Sequence, residues 1–230
     1  MARLIANMVG KNEGSRFLPE VLERLSKQVD FIVFTDDAST DDTAEIAHSY
    51  GAYVYKSDES LFAVHEGQLR NQAWQNLSIH ASLGDWILAI DCDEMMYETT
   101  YKLEDLLRSP KWGVMNITFY HMWNPTHYRV DKLWKPTPSS RLFRYVPNGS
   151  IRDRKLACGA EPSYVVDLMR AGKYFADSGL VMKHLGYVKD EDKQMKYERY
   201  TQLDGGAFHA GDHIKSIIDP NPTLVEWTFG

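Results

Sequence analysis

Apolar residues in the first half of the chain follow two alternating rhythms, and polar residues gather where each rhythm breaks. Short, nearly continuous apolar runs at residues 3–9, 30–35, 52–56 and 86–90 predict strands buried on both faces. Between them, residues 15–28 carry Phe17, Leu18, Val21, Leu22 and Leu25 on one helical face, with Ser15 as N-cap. Residues 40–51 predict a capped helix stopped by Gly51, and residues 64–83 a longer one. Strand and helix alternating at this spacing predict an α/β fold around a doubly wound, mostly parallel sheet.

Ligands of such sheets bind beyond the carboxyl ends of the strands. Three of those ends are strongly polar: GKNEGSR, DDASTDD and DCDE. They should open on one edge and bring Lys11, Asn12, Glu13, Asp36, Asp37, Asp91, Asp93 and Glu94 to one crevice. After Glu94 the rhythm changes. Residues 102–109 predict a short helix, while 112–123 and 140–146 predict strands rich in aromatics, with prolines between them. A last helix is expected over 190–203. No repeat or linker interrupts the chain, so residues 1–230 are expected to form one domain, divided near residue 98.

Composition narrows the function classes. The chain is 43% hydrophobic and 12% aromatic, enough for a sizeable core. A net charge of −6 argues against a broad nucleic-acid footprint, although Lys135, Arg141, Arg144, Arg152, Arg154 and Lys155 make one stretch locally basic. Cys92 and Cys158 are far apart and lack metal-ligand spacing, which disfavours a disulfide scaffold or structural zinc and points to a reducing, cytoplasmic setting. No run has the length of a membrane span or of a signal-peptide core, so no integral membrane association is expected.

The crevice residues suggest chemistry. Asp91 and Asp93, separated by one residue of extended chain, point to the same side. Hard cations such as Mg²⁺ or Mn²⁺ take oxygen ligands and complete their shell with substrate phosphates and water. A D-x-D at the end of a buried strand therefore fits a metal–diphosphate site, although the bare pattern is equally an acidic turn. Asp36 and Asp37 stand where a nucleotide base would lie, and a carboxylate accepts from an imide N–H such as that of uracil. Ser39, Thr40, Asp41 and Asp42 read as turn and cap chemistry. Glu13 suits ribose hydroxyls, and Arg70 suits a diphosphate or an acidic loop.

In this order and spacing, NMVGKNEGSRFLPEVLERL, DFIVFTDDASTDDTAEIA, RNQAW and GDWILAIDCDE resemble family 2 glycosyltransferases of the GT-A fold. The resemblance covers roughly residues 3–98, a Rossmann-like nucleotide-sugar-binding half; it leaves residues 99–230 as a mixed, acceptor-binding part with a C-terminal helix. It implies inverting transfer of a sugar from a nucleotide-sugar donor, UDP-sugar favoured, dependent on Mn²⁺ or Mg²⁺. It also implies that Asn12, Glu13, Asp36, Asp37, Arg70, Asn71 and Asp91 contact the nucleotide, and that Asp91, Asp93 and His184 contact the metal or diphosphate. The base that takes the acceptor proton falls to Glu161, with Asp153 in reserve and Glu94 and Asp131 as further candidates. Many relatives have a His-Glu pair at this point, whereas here Ala160 precedes the glutamate. In the aromatic segment 119–134, Trp123 and Trp134 are expected to stack on the acceptor, whether glycan, lipid, peptide or nucleic-acid base.

Two other readings share these residues. A phosphatase of the haloacid dehalogenase type also places D-x-D at a strand end with Mg²⁺, but Glu94, Met95 and Met96 follow here, on the fourth strand. A nucleotide- or carbohydrate-binding module without catalysis would keep the crevice and lose the chemistry.

Overall fold

The computed structural model describes residues 2–229 apart from 63, 109–110, 112, 156–158, 173–174 and 204–210. The expectations for Ser109, Trp112 and Cys158 lie outside the described residues. The first strands are β1 (Leu4–Gly10), β2 (Phe31–Asp36), β3 (Tyr53–Lys56) and β4 (Trp86–Ala89), and they pair in parallel in the order β3-β2-β1-β4. Alternate residues of β1 enter opposite layers. Leu4, Ala6 and Met8 pack with Leu18, Val21, Leu22 and Leu25 of α1 (Leu18–Leu25) and Ala47 of α2 (Thr43–Ser49). Ile5 joins Val33 and Ile87 under Trp74 and Leu77 of α3 (Glu66–Ser78) on the other face. This two-sided burial explains the unbroken apolar runs of the sequence.

Helix ends differ from the expectation in instructive ways. The first helix starts at Leu18, with Phe17 as N-cap and Pro19 in its first turn, so Ser15 lies outside it in a turn. Proline fixes φ and lacks the amide that the first turn leaves unpaired, which sets the start. Gly51 does stop α2: at φ +80°, its amide donates to the His48 carbonyl and the Ala52 amide to that of Ala47, the two bonds of a Schellman cap. The third helix ends at Ser78, five residues before the expected Leu83.

Beyond β4 the topology changes character, as expected, but with more elements than the sequence revealed. β5 (Glu94–Tyr97), α4 (Leu103–Leu107), β6 (Val114–His121), β7 (His127–Arg129), β8 (Thr137–Arg144), α5 (Ser163–Arg170) and β9 (Phe175–His184) follow. α6 (Asp190–Leu203), α7 (Gly211–Ser216) and β10 (Leu224–Glu226) complete the chain. Among the described residues, one sheet of eight strands runs β3-β2-β1-β4-β8-β6-β9-β5, with β8 antiparallel to β4 and β6, and β5 antiparallel to β9. Along the parallel β6–β9 pair the register jumps from Asn116–Asp177 to Ile117–Leu180. The bulge is held by the Ser178 hydroxyl, which donates to the Asn116 carbonyl, and by Gly179 at φ +67°. It leaves the end of β9 in register with β5, so that His184 pairs with Glu94.

Candidate active site

The carboxyl ends of β1, β2 and β4 open on one edge, and a cleft of about 570 Å³ lies there. Asn12, Glu13, Asp37, Arg70, Asp91, Asp93 and His184 all line it. The loops after β1 and β2 are stitched together. Asn12, left-handed at φ 54°, donates its amide to Ser39 Oγ and accepts the Thr40 amide on Oδ1. Thr43 Oγ1 accepts the amides of Glu13 and Gly14, and itself donates to Asp41 Oδ1.

The two aspartates of the D-x-D stretch have different partners. Asp91 Oδ1 accepts from Arg70 Nη1 at 2.9 Å, and Arg141 Nη2 approaches Asp91 Oδ2 at 3.5 Å and Glu94 Oε1 at 3.2 Å. Burial opposes ionisation of Asp91, yet Arg70 and Arg141 hold its carboxyl below the usual range. Glu94 is pushed up: burial dominates, Asp91 and Asp93 add to it, and Arg141 opposes. Its Oε2 accepts the Asp91 amide, which makes it a brace for the turn. Asp93 has an imidazole and an ammonium beside it instead. Its Oδ2 lies 3.5 Å from His184 Nε2 and 3.7 Å from Lys196 Nζ, and despite burial these groups hold its carboxyl far below the usual range.

Asp93, Glu94 and His184 offer ligand atoms within 4.8 Å of one another. Glu94 is already engaged with Arg141 and the Asp91 amide, so Asp93 and His184 are the groups able to hold a cation. A Cβ built on Gly186 would sit 2.5 Å from Asp93 Oδ2 and 2.7 Å from His184 Nε2, which marks a cradle that a side chain would fill. One carboxylate and one imidazole around such a space fit Mn²⁺ or Mg²⁺, with oxygen ligands left for a diphosphate and water. Behind His184, its Nδ1 lies 2.8 Å from Nδ1 of His121. Burial, with the nearby His184 and Lys196, keeps His121 neutral well below the usual imidazole range. A cation held at His184 Nε2 would require the ring proton to sit on Nδ1, where His121 Nδ1 can accept it. Gly186→Ala should therefore weaken Mn²⁺ binding by at least about tenfold, equivalent to about 1.4 kcal/mol, with the melting temperature little changed. Isothermal titration of both proteins with Mn²⁺ checks this.

Glu13 sits across the cleft, 2.9 Å from Arg16 Nε, and Arg16 Nη2 continues to Asp192 Oδ1 of α6 at 2.9 Å. Burial raises the Glu13 carboxyl to about 7, with Arg16 opposing. Between an ordinary glutamate value near 4.5 and about 7 the folded protein holds more protons here than the unfolded chain. Stability from this group therefore falls as pH rises through that window, by at most roughly 3 kcal/mol. Thermal melts from pH 4.5 to 7.5 without metal should show a steeper decline for the natural chain than for Glu13→Gln.

Several expected residues stand elsewhere. Asp36 is fully buried, and its Oδ2 accepts the Ser39 amide, so it shapes the turn rather than meeting the cleft. Neighbouring residues of a strand face opposite ways, and only Asp37 points into the cleft. Its carboxylate accepts from Ser60 Oγ and from the Leu61 and Phe62 amides. Asn71 clamps the loop after β8, donating to the Ile151 carbonyl and accepting its amide, and does not line the cleft. Trp123 and Trp134 are 5% and 2% exposed, in a cluster with Tyr187 and Ile217. They correct the expectation of acceptor stacking: Trp123 lies flat on Tyr187, which itself lines the cleft. Asp153 is exposed, 3.2 Å from His65 Nε2, and Glu161 is half-buried near Arg141. Of the other base candidates, Asp131 binds Arg129.

The sequence reading missed Tyr187, Lys196, Arg199 and Tyr200, which form the wall contributed by the C-terminal part. For Lys196, Arg199 and Tyr200 the signal was their spacing with Asp192, which shares one side of a helix; Tyr187, before that helix, gave none. Arg199 stacks over Phe62, 3.9 Å from the ring centre.

Residues 8–160 match glycosyl transferase family 2, more than half of the chain. The chain belongs to that family. This sets aside the haloacid dehalogenase alternative. A TPR repeat-containing protein of Synechococcus elongatus is 34% identical to this family 2 chain over 203 residues, 84% of the chain and 45% of that protein. The chain thus spans less than half the length of that relative. Mannosyltransferase PcManGT from Pyrobaculum calidifontis, in complex with GDP-Man and Mn²⁺, is similar at a TM-score of 0.53 and 15% identity, over 87% of this chain and 61% of that one. The likeness is one of fold, and it bears out the GT-A-like architecture. Among the described residues, no helix of this family 2 protein is long and apolar enough to cross a membrane.

Proposed function

We propose that this protein is an inverting, metal-dependent glycosyltransferase that takes its sugar from a nucleotide-sugar donor. The observation that carries the reading is the convergence of Asp93 Oδ2 and His184 Nε2 on the space beside Gly186, in a cleft built from three strand ends. Mn²⁺ or Mg²⁺ bound there would stabilise negative charge on the leaving diphosphate. Arg70, from α3, and Lys196, from α6, add positive charge to the same cleft. Family membership and the Mn²⁺ and GDP-Man held by PcManGT support the metal and the donor class.

A uridine nucleotide is the favoured donor. Asp37 uses three acceptor positions on Ser60, Leu61 and Phe62, and a carboxylate offers about four, which leaves one for an imide N–H. Glu13 and Asp91 would serve the ribose and diphosphate side. In a single displacement the acceptor oxygen bonds to the anomeric carbon, the sugar–phosphate bond breaks with its electron pair going to the diphosphate, and the acceptor proton passes to a base. Glu161 is assigned that role over Asp153, because it is less exposed and its charge reaches Arg141.

The test is a donor-hydrolysis screen: nucleotide-sugars of uridine, guanosine and the other bases with Mn²⁺, followed by release of the nucleoside diphosphate. Release from a uridine donor, lost in Asp93→Asn, is the expected result. Nucleotide binding with no sugar release from any donor or acceptor would return the chain to a binding module.

A further inference from the structure

Lys196 reaches the candidate metal site from α6, whose helical face no strand-end motif connects with it. Its Nζ lies 3.7 Å from Asp93 Oδ2 and 4.4 Å from the centre of the Tyr187 ring. The Cβ that would sit 2.5 Å from Asp93 Oδ2 and 2.7 Å from His184 Nε2 would also collide with Lys196 Nζ. One small space therefore touches all three groups. A divalent ion held by the carboxylate and the imidazole at about 2.0–2.2 Å would fill that space. An ammonium group and a dication exclude each other there by repulsion as much as by size.

Resting on the metal-site reading above, we propose that Lys196 is the resident counter-ion of the site: its ammonium compensates Asp93 until the metal arrives, and is then displaced into the cleft toward the donor diphosphate. The contrast with Asp91 supports this. The cations of Asp91 are two guanidinium groups, one fixed at 2.9 Å in a hydrogen bond. That of Asp93 is an ammonium beyond hydrogen-bond reach, on a flexible stem that packs over an aromatic face. The exchangeable cation thus sits on the aspartate that faces the cradle. The cleft gives the displaced group somewhere to go, since Lys196 lines it beside Lys11 and Arg199. A diphosphate waiting there makes the displacement easier, so metal and nucleotide should strengthen each other's binding through this side chain.

The experiment is a titration with Mn²⁺ alone, read by the electron paramagnetic resonance of the free ion, on the natural chain, Lys196→Met, Lys196→Arg and Asp93→Asn. Lys196→Met should bind Mn²⁺ at least about tenfold more tightly than the natural chain, Lys196→Arg should bind it no more tightly than the natural chain, and Asp93→Asn should lose the ion. Added UDP should then improve Mn²⁺ affinity more in the natural chain than in Lys196→Met. Lys196→Gln replaces the methionine variant if melts show the latter unfolded. Equal affinity with and without the lysine, while Asp93→Asn still loses Mn²⁺, overturns the counter-ion role and leaves the metal site standing. No Mn²⁺ binding in any of these proteins, with or without UDP, overturns both.

Discussion

Asp93→Asn is expected to abolish Mn²⁺ binding and to lower sugar transfer or donor hydrolysis by at least about a thousandfold, equivalent to about 4 kcal/mol of transition-state stabilisation. The substitution keeps the shape of the side chain and removes the charge that faces His184 and Lys196. Because the carbonyl of residue 93 still accepts the Leu185 amide, the turn should persist, and the melting temperature should fall less than in Arg70→Met, since the Lys196 ammonium lies beyond hydrogen-bond distance. Asp91→Asn makes the informative comparison. It takes one carboxylate partner from each of two guanidinium groups, which keep Glu66 and Glu94, so its effect should appear in stability as well as in turnover. Calorimetry with Mn²⁺ and melts on both variants would separate the roles. Retention of Mn²⁺ binding by Asp93→Asn would remove the basis of the proposed chemistry.

Arg70→Met should destabilise the fold by about 1–3 kcal/mol, the usual consequence of leaving a partly buried polar group without its partner. Asp91 would then keep only Arg141 at 3.5 Å, and Glu66 would lose the guanidinium 3.7 Å away. For a chain of this size that is a fall in melting temperature of roughly 2–12 °C. The double variant Arg70→Met/Asp91→Asn should lose less than the sum of its parts, by about 1–3 kcal/mol, because removing both charges leaves neither stranded. Strict additivity in chemical denaturation would show that the two side chains do not depend on each other.

The strands and helices of the first half were legible because their burial is two-sided and their loops are short. Leu4 to Met8 and Trp86 to Ala89 could hardly read as anything else. Position along the chain located the strand ends but did not say which way each side chain leaves them. Asp36 turned inward while Asp37 faced the cleft, and Asn71 was taken up by the backbone of Ile151. The tryptophans illustrate the other failure. Trp123 and Trp134 are in a cluster with α7 and Tyr187, a contact between distant segments that no local pattern records. Lys196 and Arg199 were missed for the same reason: their helix is a polar one, and only its docking makes them part of the cleft.

The span from β4 to β5 is short and tied at both ends. The Ile90 amide bonds to the Asn7 carbonyl, and the carbonyl of Asp93 receives the Leu185 amide, so few residues connect β4, in the middle of the sheet, to strand β5 at its edge. Adding or deleting one residue between Ile90 and Glu94 would reverse the pleat of β5 and turn Met95 and Tyr97 to the side now taken by Glu94 and Met96. A change of length is thus poorly tolerated at the acidic centre of this chain, and variation is more readily accommodated in segments that border the cleft, such as the 58–62 loop and α6.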